Sequence, residues 1–406
     1  MPISIPPEGF TMSSFPWRMQ FGAFMAPFHT LGDNPGLAIE RDVRTIQWLD
    51  ELRFDEAWVG EHHSAGWETI SSPEVFIAYA AAKTRSIRLG TGVVSLPYHN
   101  PYHVAERMVL LDQLTRGRVM LGVGPGALPS DAYQFVLEPA RQRPQMDESL
   151  GIIMRLLAGE EVTYESDWIH LRQSRLQAPL YSESLPVFVA STLSPAGPTI
   201  AGKHGAGLIN VSTFLPAGLD LRSVWEMYGE NCEKNGHVAD RRNWRLMLPI
   251  YIAETREEAW RDVSEGAYKF QKHYFDDTLG RKFEFPGDPA DFARVMALSG
   301  GAIIGTPDDA VEAIQKIWDL TGGFGGLLGL AHEWALPEKL HRSYELFARY
   351  VMPKFQGSLD RVTVSHDWAA ENREALNRNE VSAVVAAFNT LGTKAPDVVY
   401  GEQAKQ

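Results

Sequence analysis

The chain carries one cysteine, Cys232, in 406 residues. That excludes a disulfide scaffold and any all-cysteine zinc site. Positive charge is scarce. Lys and Arg total 38 against 51 Asp and Glu, a formal net charge of −13. No cluster of five or more Lys/Arg occurs, so the cationic stripe of a nucleic-acid groove is missing. No apolar run approaches the roughly 18–20 residues that span a bilayer, so no membrane association is expected. Met1 to Phe15 has no basic start and no long apolar core, unlike a secretory signal. A cytoplasmic location is therefore expected. What is present is a hydrophobic share of 44%, enough for a large core and incompatible with general disorder. The length fits two ordinary domains or one large α/β barrel with additions.

The periodicity favours the barrel. Strand candidates are Met19–Met25, Asp55–Gly60, Ile87–Leu96, Val119–Val123, Leu185–Ala190, Gly207–Val211, Leu246–Ile252 and Gly325–Leu330. Helical patterns separate most of them. Ile39, Val43, Ile46, Leu49 and Leu52 share one face, and Val104, Met108, Leu111 and Leu114 share another. Further helices fall near Arg141–Ala158, Pro195–His204, Ala217–Asn235, Thr306–Leu320 and Pro337–Tyr350. Ser72-Pro73 and Asn100-Pro101 read as capped helix starts with proline at the first position. Thr255-Arg256-Glu257-Glu258 reads as a capping box. In the first half the strand–helix unit repeats roughly every 30–35 residues, the rhythm of parallel βαβ units. Eight such units predict an α/β fold, a (β/α)8 TIM barrel, over a doubly wound sheet. Ala267–Gly301 breaks the repeat after strand seven, as a lid at the catalytic end or as a packing insertion. The expected divisions are a lead at 1–18, a barrel at 19–355 and a C-terminal extension at 356–406. The extension reads as a docking arm or a partly disordered appendage.

Glu61-His62-His63 falls at the end of strand two, on the rim where barrels hold their active sites. Adjacent strand residues point to opposite faces, so the two histidines do not chelate one metal together. One can serve as acid/base while the other packs or bonds Glu61. His99 and His103 are four apart, but Asn100-Pro101 caps a helix between them, and no H-E-x-x-H occurs, so no metal is expected. Gly122-Val123-Gly124-Pro125-Gly126 matches a dinucleotide fingerprint weakly. It reads better as a turn that lets a flat ligand approach the backbone. Ser191-Thr192-Leu193-Ser194-Pro195-Ala196-Gly197 precedes a helix. That composition suits either a phosphate site or plain capping by Ser194.

Together these pieces resemble the bacterial luciferase-like family of flavin-dependent monooxygenases. The resemblance rests on Glu61-His62-His63, Leu89-Gly90-Thr91-Gly92-Val93-Val94-Ser95-Leu96-Pro97, His99-Asn100-Pro101 and Leu111-Asp112-Gln113-Leu114-Thr115-Arg116-Gly117-Arg118. It extends through Leu121-Gly122-Val123-Gly124, Ala190-Ser191, Ile304-Gly305-Thr306-Pro307 and Ser343 to Ala348, covering about 19–355. Ala331-His332-Glu333-Trp334 is similar to the subgroup labelled limonene 1,2-monooxygenase-like.

The resemblance implies a dimeric barrel that takes reduced FMN from a separate, transiently bound flavin reductase. A flavin hydroperoxide formed with molecular oxygen would then place one oxygen atom in a small apolar substrate. It places the catalytic function on His62 with Glu61. Gly92, Val93, Ser95 and Gly124 fall at the flavin ring, and Ser191, Ser194, Ala196 and Gly197 fall at the phosphate. Luciferase has a phosphate-contacting arginine where Pro125 stands here, so a different grip is expected. A non-prolyl cis peptide is expected at Gly92–Val93. Two alternatives are a deazaflavin-dependent oxidoreductase of the same fold and a non-catalytic flavin-binding barrel.

Overall fold

A computed structural model of the chain describes residues 15–26, 28–192, 194–211 and 220–394. The chain divides into two units, Trp17–Met352 on the one hand, and Met1–Pro16 with Pro353–Gln406 on the other.

In the larger unit eight parallel strands close on themselves. They are β1 (Gln20–Met25), β2 (Glu56–Val59), β3 (Arg88–Thr91, continued by Val94–Ser95), β4 (Val119–Gly124), β5 (Val187–Ser191), β6 (Gly207–Asn210), β7 (Trp244–Ile252) and β8 (Gly326–Leu330). Each pairs with the next in chain order, and β8 pairs back onto β1 with Gln20 opposite Gly326. This is the (β/α)8 barrel that the strand–helix rhythm predicts, with helices on the outside. A short additional strand, Ile303–Gly305, pairs with the end of β7. A two-stranded hairpin, Val162–Glu165 with His170–Ser174, sits between β4 and β5. The sequence pattern gave no sign of either.

The barrel interior is filled rather than hollow. Phe24, Trp58, Met120, Phe188, Ile209, Met247 and Leu328 pack together there. Trp58 fits because β3 offers Gly90, where a Cβ would stand 2.3 Å from the indole. One ion pair crosses this core. The Arg245 Nη2 and Nε donate to Glu56 Oε1 and Oε2 at 2.6 and 2.9 Å, and Trp58 Nε1 donates to Oε2 at 3.0 Å. Burial pushes the Glu56 pKa up, but the guanidinium overcomes this and leaves it below the ordinary value.

Helix starts follow the residues expected at them, with two differences. Asn100 caps the helix that begins at Pro101 as expected, and Asn34, which the sequence pattern does not single out, caps the one at Pro35. Ser72 precedes Pro73 as expected, but its hydroxyl donates to Glu74 Oε2 at 2.9 Å and caps no N–H. Thr255 accepts from the Glu258 N–H, giving the forward half of the expected capping box.

After β7 the helix Arg256–Phe270 runs on into a π-helical turn, Gln271–Thr278. This is the segment read from sequence as lid or packing insertion, and it packs. Phe283, Phe285, Phe292, Tyr268 and Trp334 belong to an aromatic core around it. It also reaches the rim. Phe270 and Tyr274 lie 4.5 and 4.8 Å from Phe28, in the loop after β1.

In the smaller unit, Asp360–Thr390 forms one 31-residue helix. Residues 1–14 and 395–406 lie outside the described residues. No helix among the described residues is long and apolar enough to cross a membrane.

Candidate active site

The chain leaves β2 over the C-terminal rim as Gly60-Glu61-His62-His63. The two histidines diverge, as strand alternation requires. His62 turns toward Asp131 and Glu68, and His63 toward Glu61.

Glu61 is buried. Its Oε2 accepts the Ser95 N–H at 2.6 Å, while Oε1 stands 3.1 Å from His63 Nε2 and 2.5 Å from His99 Nε2. Burial alone would raise its pKa, and these donors hold it below the ordinary carboxylate value. Glu61 therefore acts as an anionic tie that fixes the β2 rim to the end of β3.

His62 lies between two further carboxylates. Its Nδ1 is 3.2 Å from Asp131 Oδ2, and its Nε2 is 3.1 Å from Glu68 Oε2. The Nε2–Glu68 approach is close enough for an ion pair but not aligned as a hydrogen bond, leaving Glu68 Oε2 without a donor. Burial depresses the His62 pKa. The Asp131 hydrogen bond and the charges of Glu68 and Asp131 outweigh it, so the net shift is upward. The ring thus holds its second proton to higher pH than free imidazole.

Asp131 lies in the first turn of the helix Pro129–Gln134 after β4. It also accepts the His63 N–H at 3.2 Å and the Ser64 hydroxyl. Its pKa is raised by burial and lowered further by His62 and Ser64, ending below the ordinary value. His63 packs edge-on against Phe135 at 4.9 Å.

The remaining candidates line the neighbouring strand ends. The Gly92–Val93 peptide is cis. Ser95 stands opposite Gly124 in the β3–β4 pairing, and a Cβ on Gly124 would be 2.6 Å from Val93 Cγ2. Ser191 ends β5, and a Cβ on Gly197 would be 2.6 Å from its Cβ. Ser194 Oγ accepts from the Ala196 N–H at 3.1 Å and from Arg143 Nε at 3.2 Å. The helix beyond, Ala196–His204, opens on Pro195 as its cap residue. Leu193 lies outside the described residues.

Glu61, His62, Gly92, Val93, Ser95, Gly124, Ser191, Ser194, Ala196 and Gly197 thus fall on one arc of the rim, from β2 to β5. Sequence reasoning missed Glu68, Asp131 and Arg143. It noted His99 but not its partner Glu61. Arg143 reaches the Ser194 hydroxyl from the helix Pro139–Leu157. No sequence signal marked these partnerships: three join residues separated by strands or helices, and His62 and Glu68 meet across an irregular loop without periodic pattern.

Across the rim, between β8 and β1, Glu333 pairs with Arg41, and His29 Nε2 lies 2.9 Å from Asp42. Burial pushes Glu333 up to about 7, against the pull of Arg41.

A family model described as luciferase-like monooxygenase matches residues 19–323. A 4-hydroxyprotoasukamycin monooxygenase from Streptomyces nodosus subsp. asukaensis is 44% identical over 371 residues, 88% of this chain and 98% of that protein. A limonene 1,2-monooxygenase from Rhodococcus erythropolis is 41% identical over 343 residues, 84% of this chain and 88% of that protein. Among solved structures, the oxygenating constituent of 3,6-diketocamphane monooxygenase from Pseudomonas putida, a type II Baeyer–Villiger enzyme in complex with FMN, superposes with a TM-score of 0.70. It is 24% identical and covers 83% of this chain and 99% of that one.

Proposed function

Because the chain belongs to the luciferase-like monooxygenase family, we propose that it is the oxygenating half of a two-component system. In this reading a separate reductase supplies reduced FMN, and one atom of O2 enters a small apolar substrate. The observation that carries the reading is His62, held between Asp131 and Glu68 on the same rim arc as the Ser194–Arg143 cluster.

The residues fit FMN. Arg143, the Ser194 hydroxyl and the N–H groups of Ala196 and Gly197 form the donor set that a phosphomonoester dianion takes. Gly124, with no room for a Cβ beside Val93, keeps the backbone at the ends of β3 and β4 bare for a flat ring. FMN is also the flavin held by the structural neighbour. When bound, reduced FMN supplies the electrons that activate oxygen.

The protein's own part is to position and to exclude water. His62 presents a proton at the rim, with Asp131 fixing the ring through Nδ1. Glu61 holds the β3 end against the β2 rim. Phe28, Phe270 and Tyr274 place aromatic surface over this side of the mouth, which suits an apolar substrate and shields the site. The name of the limonene-oxidising relative supports the same substrate class. Exposed Val75, Tyr79, Leu110 and Leu114, the last of which the periodicity places on the inward face with Val104, Met108 and Leu111, offer an apolar surface on the helices Pro73–Ala81 and Pro101–Thr115 for a homodimer. The proposed limits of the catalytic barrel are 19–355.

Anaerobic titration with reduced FMN, then with a reduced deazaflavin, tests the cofactor. Tight binding of reduced FMN, followed on admission of air by an oxygenated terpene or ketone, supports the reading. Preference for the deazaflavin, or peroxide alone with every trial substrate, contradicts it.

A further inference from the structure

The π-helical turn after β7 is joined to the candidate catalytic histidine by side chains. Tyr274 Oη donates to Glu68 Oε1 at 2.5 Å. The other oxygen of Glu68 faces His62 Nε2 at 3.1 Å, and His62 Nδ1 faces Asp131 Oδ2 at 3.2 Å. Tyr274 and Glu68 are each 4% exposed, so solvent cannot stand in for either partner.

Tyr274 is aimed by its neighbours. Its ring stacks on Phe270 at 5.6 Å with 9° between planes and meets Phe28 edge-on at 4.8 Å. The turn is pinned a second time where Trp67 Nε1 donates to Thr278 Oγ1 at 3.0 Å. Glu68 is anchored by a backbone bridge to Phe28. A phenol fixed this firmly on a buried carboxylate does more than cover the mouth.

We propose that Tyr274 is a positioning residue for His62, acting through Glu68: its hydroxyl bond fixes the Glu68 carboxyl facing Nε2 and favours its charged form, and so sets the orientation and protonation of the imidazole. The assignment rests on the reading of His62 as the proton-presenting group of a monooxygenase.

The charges around the chain of contacts give the sign. His62 is faced by Asp131 from the helix after β4, by Glu68 from its own loop, and by Glu61 and His63 beside it. Glu68 is faced in turn by Tyr274, Asp131 and His29, and Tyr274 by Arg281. Burial pushes the Glu68 pKa above the ordinary carboxylate value, and the charge of His62 and the Tyr274 hydroxyl offset it only in part. Burial and the Glu68 charge push the Tyr274 phenol upward as well, so it remains a neutral donor. Without that donor Glu68 keeps its proton to higher pH. His62 then faces a neutral acid and releases its own proton at lower pH.

The test follows the His62 ring resonance by NMR across pH in the flavin-free chain, with the signal assigned by its loss in His62→Gln. Tyr274→Phe removes one hydroxyl and should leave the thermal unfolding midpoint near that of the unsubstituted chain. The expected result is a downward shift of the His62 midpoint in Tyr274→Phe and a larger downward shift in Glu68→Gln. The double variant should coincide with Glu68→Gln. The pH profile of product formed per reduced FMN oxidised should move the same way. An unchanged midpoint in Tyr274→Phe overturns the proposal, and so does a further shift in the double variant. If Tyr274→Phe does not fold, an unchanged His62 midpoint in Glu68→Gln overturns it equally. Failure of the monooxygenase reading would show separately, as absence of oxygenated product in the unsubstituted chain while the NMR coupling stands.

Discussion

Asp131 Oδ2 lies 3.2 Å from His62 Nδ1, joining the helix after β4 to the rim after β2. The carboxylate is fully buried, and it also holds the His63 N–H and the Ser64 hydroxyl. One acid thus fixes both the backbone that carries His62 and the ring itself.

Asp131→Asn should therefore reduce coupled oxygenation without abolishing flavin binding. Losing a charge-assisted hydrogen bond costs about 1.5–3 kcal/mol, or roughly 10–150-fold. The Asp131 bond raises the His62 pKa, so the pH profile of coupling should also move to lower pH. An unshifted profile would show that Asp131 only braces the loop.

Glu56→Gln tests the buried pair in the barrel. Breaking such a pair on one side typically costs about 3–5 kcal/mol, because the Arg245 charge is left without its counter-ion. Urea unfolding should show this loss at neutral pH. The folded pKa of Glu56 lies below its ordinary value of 4.5. Its contribution is complete above that value and is lost as pH falls through the folded pKa. The gap between the two proteins should narrow on acidification below about 4.5. A gap constant with pH would mean that packing rather than charge is lost.

The phosphate grip is tested by Arg143→Ala and Ser194→Asp. Each should weaken FMN binding roughly tenfold or more, the order of one charge-assisted hydrogen bond at ~1.5 kcal/mol. Riboflavin, which lacks the phosphate, should be little affected. Equal losses for both flavins would move the phosphate elsewhere on the rim.

Much of this arrangement was legible in the sequence, for a physical reason. Buried parallel strands need unbroken apolar runs, and their helices need capped, amphipathic segments, so the alternation that begins at Gln20 and ends at Leu330 could be read residue by residue. Glu61-His62-His63 directly follows an apolar run, so its place at a strand end could be read, whereas Ile87–Leu96 read as one strand and its break at Gly92–Val93 was signalled only by the family resemblance. Asp131, Glu68 and Tyr274 could not be found that way. Asp131 and Glu68 meet His62 from a short helix and an irregular loop, and Tyr274 reaches Glu68 from a π-helical turn, none of which has a periodic signature. The hairpin Val162–Ser174 was missed because it is polar and half-exposed, with little apolar alternation.

Ending the chain after Gly357 should leave a folded protein that binds reduced FMN, because no candidate site residue lies in the helix Asp360–Thr390. Insoluble or non-binding truncated protein would give that helix a structural part.

The central claim is that His62 supports oxygen transfer rather than flavin binding. The most direct measurement counts product and hydrogen peroxide per reduced FMN oxidised, in the unsubstituted chain and in His62→Ala, with an apolar terpene or ketone as substrate. The account predicts unchanged reduced-FMN affinity and product lowered at least about tenfold, a floor beneath the roughly 10²–10⁴-fold usual for acid/base help. Peroxide should rise to match the oxygen consumed. Unchanged coupling would make His62 structural, and collapse of flavin binding would assign it to the cofactor seat.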